Sequence, residues 1–316
     1  MQLYEVTGLP AVSDVPQVLA IGKFDGVHIG HQAILDEARH YLQPGTRFAV
    51  MCFEPHPSYV LTGDKTYLRS LTPSVEKARI LQDHGVDALY TIHFNEAYAS
   101  TEAEMFVKTH LARLNLERIV VGQDFRFGRG GKGDVAKLTA YASEIGIGVS
   151  VVGEVDQNGI KVSSSHIRNH LGEGRVEAAE ALLGRPYSIT GTVVHGDARG
   201  RLIGFPTANL GDIDQYVLPK TGVYAVSVEI SRAGVQEHWF GVLNAGFRPT
   251  VAGQDYRLEV HLLGFNGDLY GESCRVSFLH RIRDERKFSG LDELKAQIQS
   301  DCRTAQDMLG LPAGTD

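Results

Sequence analysis

The sequence predicts two domains: an α/β domain built on a parallel sheet, followed by a small antiparallel β-barrel with a C-terminal helix. With 316 residues, the chain is longer than a single core usually requires. Residues 1–183 alternate short β-branched runs with longer helical patterns, which is typical of a parallel sheet with helices on both faces. Residues 184–316 instead carry short strand patterns separated by turn residues, which indicates a barrel.

The first domain is predicted to have strands at 18–22, 48–53, 88–94, 118–122 and 148–152. Apolar periodicity predicts helices over 31–42, 74–84, 102–114 and 134–145, the second of them ended by Gly85. Two short helices follow from residue 163, interrupted at 172–174, and the stop at Leu183-Gly184 predicts the domain boundary. Parallel sheets bind ligands beyond the carboxyl ends of their strands, so we expect the functional loops at that edge.

The second domain is predicted to have strands at 188–195, 222–230, 238–244, 257–265 and 274–279, with a closing helix over 289–309. Ser289 and Asp292 form a capping pattern at the start of that helix. Its periodicity predicts one buried stripe. The stripe consists of Leu291, Leu294, Ile298, Cys302, Ala305 and Leu309.

Composition excludes several classes of protein. A formal net charge of −7 argues against broad nucleic-acid binding. The three cysteines show no CxxC or CxxH spacing, so neither a disulfide framework nor a structural zinc site is expected. No secretory signal and no apolar run long enough to span a membrane occur in the sequence, so we expect a cytoplasmic protein without a membrane partner.

Residues 22–31, GKFDGVHIGH, follow the first strand directly and open a helix. The N–H groups and partial positive charge of a helix start suit phosphate, and glycines let the backbone approach a nucleotide closely. His28 and His31 are spaced to reach one phosphate group. The alternatives are a pair of surface histidines or a metal site, but a third ligand at helical spacing is missing.

Two further loops follow strands of the predicted sheet. In FEPHP, residues 53–57, His56 by itself indicates a packed histidine in a rigid loop, although its position beside the first motif favours a functional role. Residues 128–133 match GxGxxG, and Glu154 follows after a strand, as in a dinucleotide fingerprint. The match follows the fourth predicted strand rather than the first. A Gly/Lys/Arg loop over a phosphate therefore explains it better than NAD binding does.

Three serines and an arginine occur at the start of a predicted helix, in residues 163–168. Ser164 and Ser165 fit ordinary helix caps. Together with Arg168, one turn later, they also suit a β- or γ-phosphate, because a guanidinium matches phosphate oxygens.

The second domain carries two candidate features. A Gly/Arg loop leads into PTAN, where Thr207 and Asn209 offer hard oxygen ligands for magnesium; the alternative is a surface hairpin. Glu259 alternates with Leu258 and Val260, so it lies on the face opposite theirs. Alternation alone favours a solvated face over a catalytic carboxylate.

Taken together, the motifs resemble the prokaryotic bifunctional riboflavin kinase/FAD synthetase family. The resemblance covers residues 18–308, in family order. It consists of GxFDGxHxGH, FxPHP, DFxFG, SSSxIR, LGRPYSIxGxVVHG, GFPTAN, LPxxGVYA, RPT, EVHL, DLYG and IRDExKF. Any one of these elements is modest support, whereas the complete ordered set is highly specific.

The resemblance implies a Rossmann-like, HIGH-type nucleotidylyltransferase over 1–183, which adenylylates FMN to FAD, and a riboflavin kinase over 184–316. His28 and His31 would stabilise the triphosphate and the transition state of adenylyl transfer. Thr207 and Asn209 would bind Mg²⁺ with ATP, and Glu259 would be the general base of the kinase. The residues implied to line the nucleotide sites are Gly22, Phe24, Asp25, Gly26, Gly30, His56, Asp124, Phe125, Ser164, Ser165, Arg168, Gly200, Gly204 and Pro206.

The chemistry of the two implied steps fits this division. Riboflavin attacks through a neutral hydroxyl, which needs a proton acceptor, whereas FMN attacks through an anionic phosphate and needs charge stabilisation instead. No GxxxxGK[ST] loop occurs, so the kinase is not of the P-loop type. An NAD-dependent oxidoreductase and a non-catalytic flavin-binding protein remain as alternatives, and the sequence leaves the oligomeric state open.

Some positions depart from the family pattern. Lys23 occupies a variable position of GxFDG, and Ser165 replaces the usual threonine but keeps a hydroxyl. Ala198 stands where a glycine is common, so this substitution bears on the backbone conformation of the kinase loop. Ala245 and Phe247 replace the usual isoleucine and threonine, so these substitutions bear on the details of the kinase's flavin pocket.

Overall fold

The computed structural model describes residues 1–196, 200, 203–232, 234–250 and 253–312, without the side chains of residues 249, 250, 253 and 254. Contacts divide the chain into two compact units, Met1–Ser164 and Ser165–Asp316. The division between residues 164 and 165 lies N-terminal to the predicted domain boundary between residues 183 and 184. The predicted boundary between the two activities stays a prediction. Ala198 lies outside the described residues.

The first unit contains a parallel six-stranded sheet in the order β1-β4-β3-β2-β5-β6, as the α/β prediction requires. Its strands are β1 Gln2–Val6, β2 Gln17–Ile21, β3 Arg47–Glu54, β4 Ala88–His93, β5 Leu116–Gly122 and β6 Gly148–Val152. Central strand β2 is buried along its whole length, which explains its uninterrupted apolar character. The direction of chain progression reverses between β2 and β5, so a ligand crevice is expected at the carboxyl ends of these strands.

Two apolar cores cover the two faces of this sheet. The α-helices are α1 Ile29–Arg39, α2 Pro57–Thr62, α3 Ser74–Asp83, α4 Glu96–Ala99, α5 Ala103–Met105 and α6 Val135–Glu144. Strand β1, the ribbon of β7 Asp156–Gln157 with β8 Ile160–Lys161, and a 3₁₀ helix at Lys65–Leu68 were not anticipated.

The predicted α-helix over 102–114 is wrong in type. Only α5 is α-helical there, and it is followed by a π-helical turn at Phe106–His110 and a 3₁₀ turn at Leu111–Leu114. The wide turn buries Phe106, Val107 and His110. The same three positions would also share one side of an α-helix, so apolar spacing does not distinguish the two helix types.

The second unit contains a closed antiparallel barrel in the order β10-β13-β12-β11-β14-β9, so the barrel prediction is confirmed. Its strands are β9 Tyr187–Val194, β10 Ala208–Leu210, β11 Gly222–Arg232, β12 Val235–Thr250, β13 Gly253–Leu262 and β14 Ser273–Arg283. The short helices α7 Ser164–Gly172 and α8 Val176–Leu183 precede the barrel, and the closing helix α9 is Leu291–Leu309.

Helix α9 packs on the outer face of the barrel, where Cys302 and Ala305 meet Val223 and Ala225. Its predicted stripe is wrong at Leu291, which is 68% exposed because it is the first helical residue and extends beyond the core.

The predicted cap of this helix is also wrong. Ser289 does not pair with Asp292; its backbone N–H and hydroxyl both donate to Glu293, at 2.9 and 2.7 Å. The reason is that Gly290 is the N-cap, which puts Glu293 at the third helical position. Within the described residues, no helix has the length and apolar character needed to cross a membrane.

Candidate active sites

The start of α1 carries the first candidate site. His28 caps the helix, with Nδ1 accepting the His31 backbone N–H at 3.3 Å, and the two imidazoles stack with centroids 3.7 Å apart. A Cβ on Gly30 would lie 3.2 Å from two atoms of the His28 ring. Because Nδ1 accepts a hydrogen bond, the neutral His28 ring carries its hydrogen on Nε2 and presents a donor there.

The loop between β2 and α1 has an unusual backbone. Phe24 and Val27 adopt positive φ values of 50° and 41°, and a β-branched residue rarely does so. Asp25, which is 4% exposed, lies between them and accepts the Leu71 backbone N–H at 2.7 Å. Gly22 continues the sheet by donating to the Met51 carbonyl at 3.2 Å. The loop is therefore held rigidly at the carboxyl end of β2.

The FEPHP loop lies at the carboxyl end of the neighbouring strand β3. His56 caps α2 by accepting the Ser58 backbone N–H at 3.1 Å, and its ring stacks on Tyr67 at 4.5 Å. Its neutral ring therefore also has its hydrogen on Nε2. These contacts agree with a packed histidine in a rigid loop, and a nucleotide contact of His56 stays a prediction.

Glu54 in the same loop forms an ion pair with Lys77 of α3, with 2.6 Å between Oε1 and Nζ. The Lys77 side chain is only 5% exposed. Burial opposes both charges, yet the pKa of Glu54 is lowered, since Lys77 and the Ser74 hydroxyl stabilise the carboxylate. The pKa of Lys77 is raised against the effect of burial, with attraction to Glu54 contributing. The pair is thus ionised at neutral pH.

The GxGxxG segment has a packing explanation. A Cβ on Gly128 would lie 2.7 Å from the Ala103 Cα, and one on Gly133 would lie 2.8 Å from the Phe127 ring. The next helix, α6, begins only at Val135, after a 3₁₀ turn at Arg129–Gly131. The segment therefore does not form the strand–turn–helix of a dinucleotide fingerprint.

Asp124 and Phe125 lie just beyond the carboxyl end of β5, the strand that pairs with β2. The Asp124 carboxylate lies 3.7 Å from the Lys161 ammonium of β8 and is 75% exposed. Phe125 is half-buried and stacks on Phe127 with centroids 5.5 Å apart.

The serine–arginine motif begins helix α7. Ser164 Oγ donates to the Asp25 carbonyl at 2.8 Å, so the second serine of the motif reaches the loop before α1. Ser165 and Arg168 follow on the same helix, and both belong to the second compact unit. Their part in nucleotide binding stays a prediction.

The second candidate site lies on the barrel. Asn209 of β10 and Asn244 of β12 both face Glu259 of β13 across the strand pairs, so the three side chains share one face. Asn209 is 8% exposed, and its Oδ1 has no hydrogen-bond partner among the residues that the structure describes. Leu258 and Val260 are buried on the opposite face, which confirms the predicted alternation.

The described residues before β10 include three glycines and Pro206, and two of the glycines lie against other backbone or side-chain atoms. Any Cβ on Gly196 would overlap the Asn209 amide, and one on Gly200 would overlap the Phe205 carbonyl oxygen. Gly204 has a φ of 88°. The Pro206 carbonyl lies 2.8 Å from Nδ1 of His261, so Nδ1 donates and Nε2 of the neutral ring is an acceptor. Thr207 is half-buried between Pro206 and β10.

These oxygens fit a divalent metal. Within the described residues, no three His, Cys, Asp or Glu side chains gather to hold a metal ion. The Thr207 hydroxyl and the Asn209 amide oxygen, which has no partner among the described residues, are hard donors, and magnesium prefers such oxygens while keeping waters and phosphates as further ligands.

Sequence reasoning missed several residues near these sites. Lys23 is half-buried at the end of β2, near the carboxylates of Asp124 and Asp25, and burial lowers its pKa against their attraction. Lys77 was missed because nothing in a helical pattern reveals a charged partner 23 residues away. Asn244 lies inside a strand pattern that drew attention only to its apolar residues.

Comparisons with known proteins agree with the two-part architecture. The family model for FAD synthetase matches residues 12–166, and the family model for riboflavin kinase matches residues 183–309. The bifunctional riboflavin kinase/FMN adenylyltransferase of Escherichia coli (strain K12) is 42% identical over 315 residues, covering 97% of this chain and 98% of the relative. The enzyme of the same name from Bacillus subtilis (strain 168) is 41% identical over 292 residues, covering 91% of each chain.

A solved structure gives the same fold. The crystal structure of a protein named macrolide-efflux protein, from Streptococcus pneumoniae, matches with a TM-score of 0.89 and 33% identity, covering 97% of this chain and 99% of that one. The order of the two family matches and the identity over nearly the whole length assign the chain as a whole. It belongs to the family of bifunctional riboflavin kinase/FMN adenylyltransferases.

Proposed function

We propose that this protein phosphorylates riboflavin to FMN on its barrel and adenylylates FMN to FAD at the carboxyl edge of its parallel sheet, with ATP as co-substrate of both steps and a divalent metal in each. The observation that carries the proposal is the difference between the two sites. One is a histidine-capped helix start, and the other is a carboxylate that faces a buried amide oxygen without a hydrogen-bond partner among the described residues. We further propose that the reactions take place in the cytoplasm.

In the adenylyl transfer, an FMN phosphate oxygen attacks the α-phosphorus of ATP, the bond to the β-phosphate breaks, and pyrophosphate leaves. Neutral His28 offers an Nε2–H to a phosphate oxygen, and the stacked His31 ring lies beside it. The N-terminus of α1 adds its partial positive charge. These groups stabilise negative charge in the transition state and take no proton from the nucleophile.

Other residues have supporting roles in this site. Gly22, Phe24, Asp25 and Gly26 shape the loop over which the nucleotide lies. His56 offers a second Nε2–H donor. The further nucleotide contacts that we propose are those of Gly30, Asp124, Phe125, Ser164, Ser165 and Arg168.

In the kinase reaction, the riboflavin hydroxyl oxygen attacks the γ-phosphorus of ATP, and ADP leaves. Glu259 accepts the hydroxyl proton as the new O–P bond forms. Thr207 and Asn209 would hold the metal, which neutralises phosphate charge when it is bound. Gly200, Gly204 and Pro206 shape the loop that approaches the phosphates.

Partly buried aromatic rings give the first site a surface for a flavin. Phe53, Phe94 and Tyr98 form a chain of contacts beyond β3 and β4, with centroids 6.0 Å apart at each step. Phe125 extends the aromatic surface beyond β5. A planar isoalloxazine ring stacks favourably on such rings, so we propose that this surface takes the FMN ring.

The test is a time course with purified protein, ATP and Mg²⁺, in which flavins are separated by chromatography and pyrophosphate is measured. Riboflavin should yield FMN and then FAD, and FMN supplied directly should yield FAD with one pyrophosphate each. EDTA should stop both steps, and added Mg²⁺ should restore them. Flavin that binds without being converted would refute the proposal and favour a storage protein, and reduction of NAD would favour an oxidoreductase.

A further inference from the structure

Residues 71–77, called here the clamp segment, connect the two loops at the carboxyl edge of the sheet. The Leu71 backbone N–H donates to Asp25 Oδ1 at 2.7 Å. The Thr72 hydroxyl accepts the Gly26 backbone N–H at 3.0 Å and donates to the Phe24 carbonyl at 3.4 Å. Thr72 is 3% exposed, so these bonds are shielded from water. The clamp segment therefore makes successive bonds to residues 24–26.

The other end of the clamp segment holds the FEPHP loop. The Lys77 ammonium lies 2.6 Å from Glu54 Oε1, and the Ser74 hydroxyl donates to Glu54 Oε2. Glu54 ends β3 and lies two residues before His56. A buried ion pair with an added hydroxyl bond fixes the position of a side chain more strictly than apolar contact does.

The contacts coincide with backbone strain. Phe24 and Val27 have φ values of 50° and 41°. The clamp segment binds Phe24 itself, and Val27 follows Gly26, the last residue that it binds. Non-glycine residues at positive φ cost free energy and persist only where the surroundings hold them there. The bonds of Leu71 and Thr72 supply such restraints.

We infer that the clamp segment positions both nucleotide loops for FAD formation, with Thr72 and Lys77 as positioning residues that act through the Gly22–Gly26 backbone and through Glu54. The inference rests on the proposed adenylyltransferase function. Neither side chain touches the reacting atoms; each sets the place of groups that do. Small displacements of such groups are costly, since about 1 Å of misplacement can cost about a hundredfold in rate.

The first test compares Thr72→Val with Thr72→Ser. Valine keeps the shape but leaves the Gly26 N–H without this acceptor, whereas serine keeps the hydroxyl. We expect Thr72→Val to raise KM for ATP and to lower kcat for FAD formation from FMN, so that kcat/KM falls by about tenfold or more. Thr72→Ser should retain most of the wild-type kcat/KM. A role in stability alone would lower the folded fraction and leave KM for ATP unchanged.

The second test uses Lys77→Met, Glu54→Gln and the double variant. Lys77→Met alone leaves a half-buried carboxylate uncompensated and can fail to fold, whereas the double variant has no unpaired charge. If Lys77 acts through Glu54, the double variant should lose no more kcat/KM for ATP than the worse single variant that folds. Asp83→Asn is the matched control: Asp83 is on the same helix, and its side chain, which pairs with Arg79, is 62% exposed. This variant should keep wild-type KM and kcat.

The outcomes separate the inference from the function on which it rests. Wild-type protein that makes no FAD from FMN and ATP would refute the proposed function. If the wild-type protein makes FAD, and Thr72→Val and the folded double variant both stay within twofold of its kcat and KM, only the inference about the clamp segment is overturned. Equal impairment by Thr72→Val and Thr72→Ser would also overturn it, since the hydroxyl would then not be the cause.

Discussion

Gly30→Ala tests whether the position of the His28 ring matters for FAD formation. The added Cβ would lie 3.2 Å from the Cε1 and Nδ1 atoms of His28, so the ring must move by a few tenths of an ångström. The cap bond from the His31 N–H to Nδ1 is already 3.3 Å long, so we expect a displacement of Nδ1 away from the new Cβ to weaken or break it. Nε2, the proposed phosphate donor, moves with the ring.

The expected effects on stability nearly cancel. Loss of a side-chain cap costs about 0.5–2 kcal/mol. Replacement of glycine by alanine inside a helix contributes about 0.8–1 kcal/mol in the opposite direction. We therefore expect a nearly unchanged melting temperature, together with a fall of about tenfold to a hundredfold in kcat/KM for FAD formation, as misplacement of a catalytic group produces.

The assay measures FAD formation from FMN and FMN formation from riboflavin on the same preparation. FMN formation should not change, because the kinase site lies on the barrel. Gly8→Ala is the matched control, since a Cβ there meets no atom within 4 Å. A folded Gly30→Ala protein with FAD formation within twofold of the wild type would refute the reasoning about His28.

Two further predictions concern the charged groups of the sites. Glu259→Gln should reduce FMN formation by about a hundredfold to ten-thousandfold, the range of general acid–base catalysis, with riboflavin affinity and FAD formation from FMN nearly unchanged. Undiminished FMN formation in stopped assays would exclude Glu259 as the base. Burial lowers the pKa of Lys23, so its ammonium loses its proton at a lower pH than an ordinary lysine does, although Asp124 and Asp25 oppose this. If the Lys23 charge aids phosphate binding, kcat/KM for FAD formation should fall as the pH rises through this pKa. Lys23→Met should no longer show this fall at alkaline pH. Identical pH profiles of the two proteins would contradict a role for the charge.

Periodicity was sufficient for the architecture because burial dictates residue choice along whole elements. The run at β2 is buried at every position, and the alternation at Leu258, Glu259 and Val260 matches the two faces of β13. Periodicity failed where local geometry changes without a change in apolar spacing. The π-helical turn at Phe106–His110 is one such case, and the one-residue shift that moves the cap contact to Glu293 is another.

Candidate site residues were predictable where a short motif contains both partners. His28 and His31 are three residues apart and stack on each other, as their spacing allows. The clamp segment was not predictable, because its bonds join distant parts of the chain: Leu71 binds a residue 46 positions away, and Lys77 binds one 23 positions away. Only the order of strands in the sheet brings these residues together.

The two sites differ in electrostatics as their nucleophiles require. FMN arrives as an anion, and a carboxylate close to its phosphate would repel it and slow the attack. At the carboxyl edge of β2, Glu54 is paired with Lys77 and Asp25 accepts a backbone N–H. The half-buried ammonium of Lys23 lies near the carboxylates of Asp25 and Asp124 and opposes their charge. Riboflavin arrives with a neutral hydroxyl, which attacks well only if its proton can leave. On the barrel, Glu259 faces the neutral amides of Asn209 and Asn244, and this setting suits the proposed role of its carboxylate as proton acceptor. With these proposed roles, each site would be a poor catalyst of the other's reaction, which favours two separate active sites over one shared ATP site.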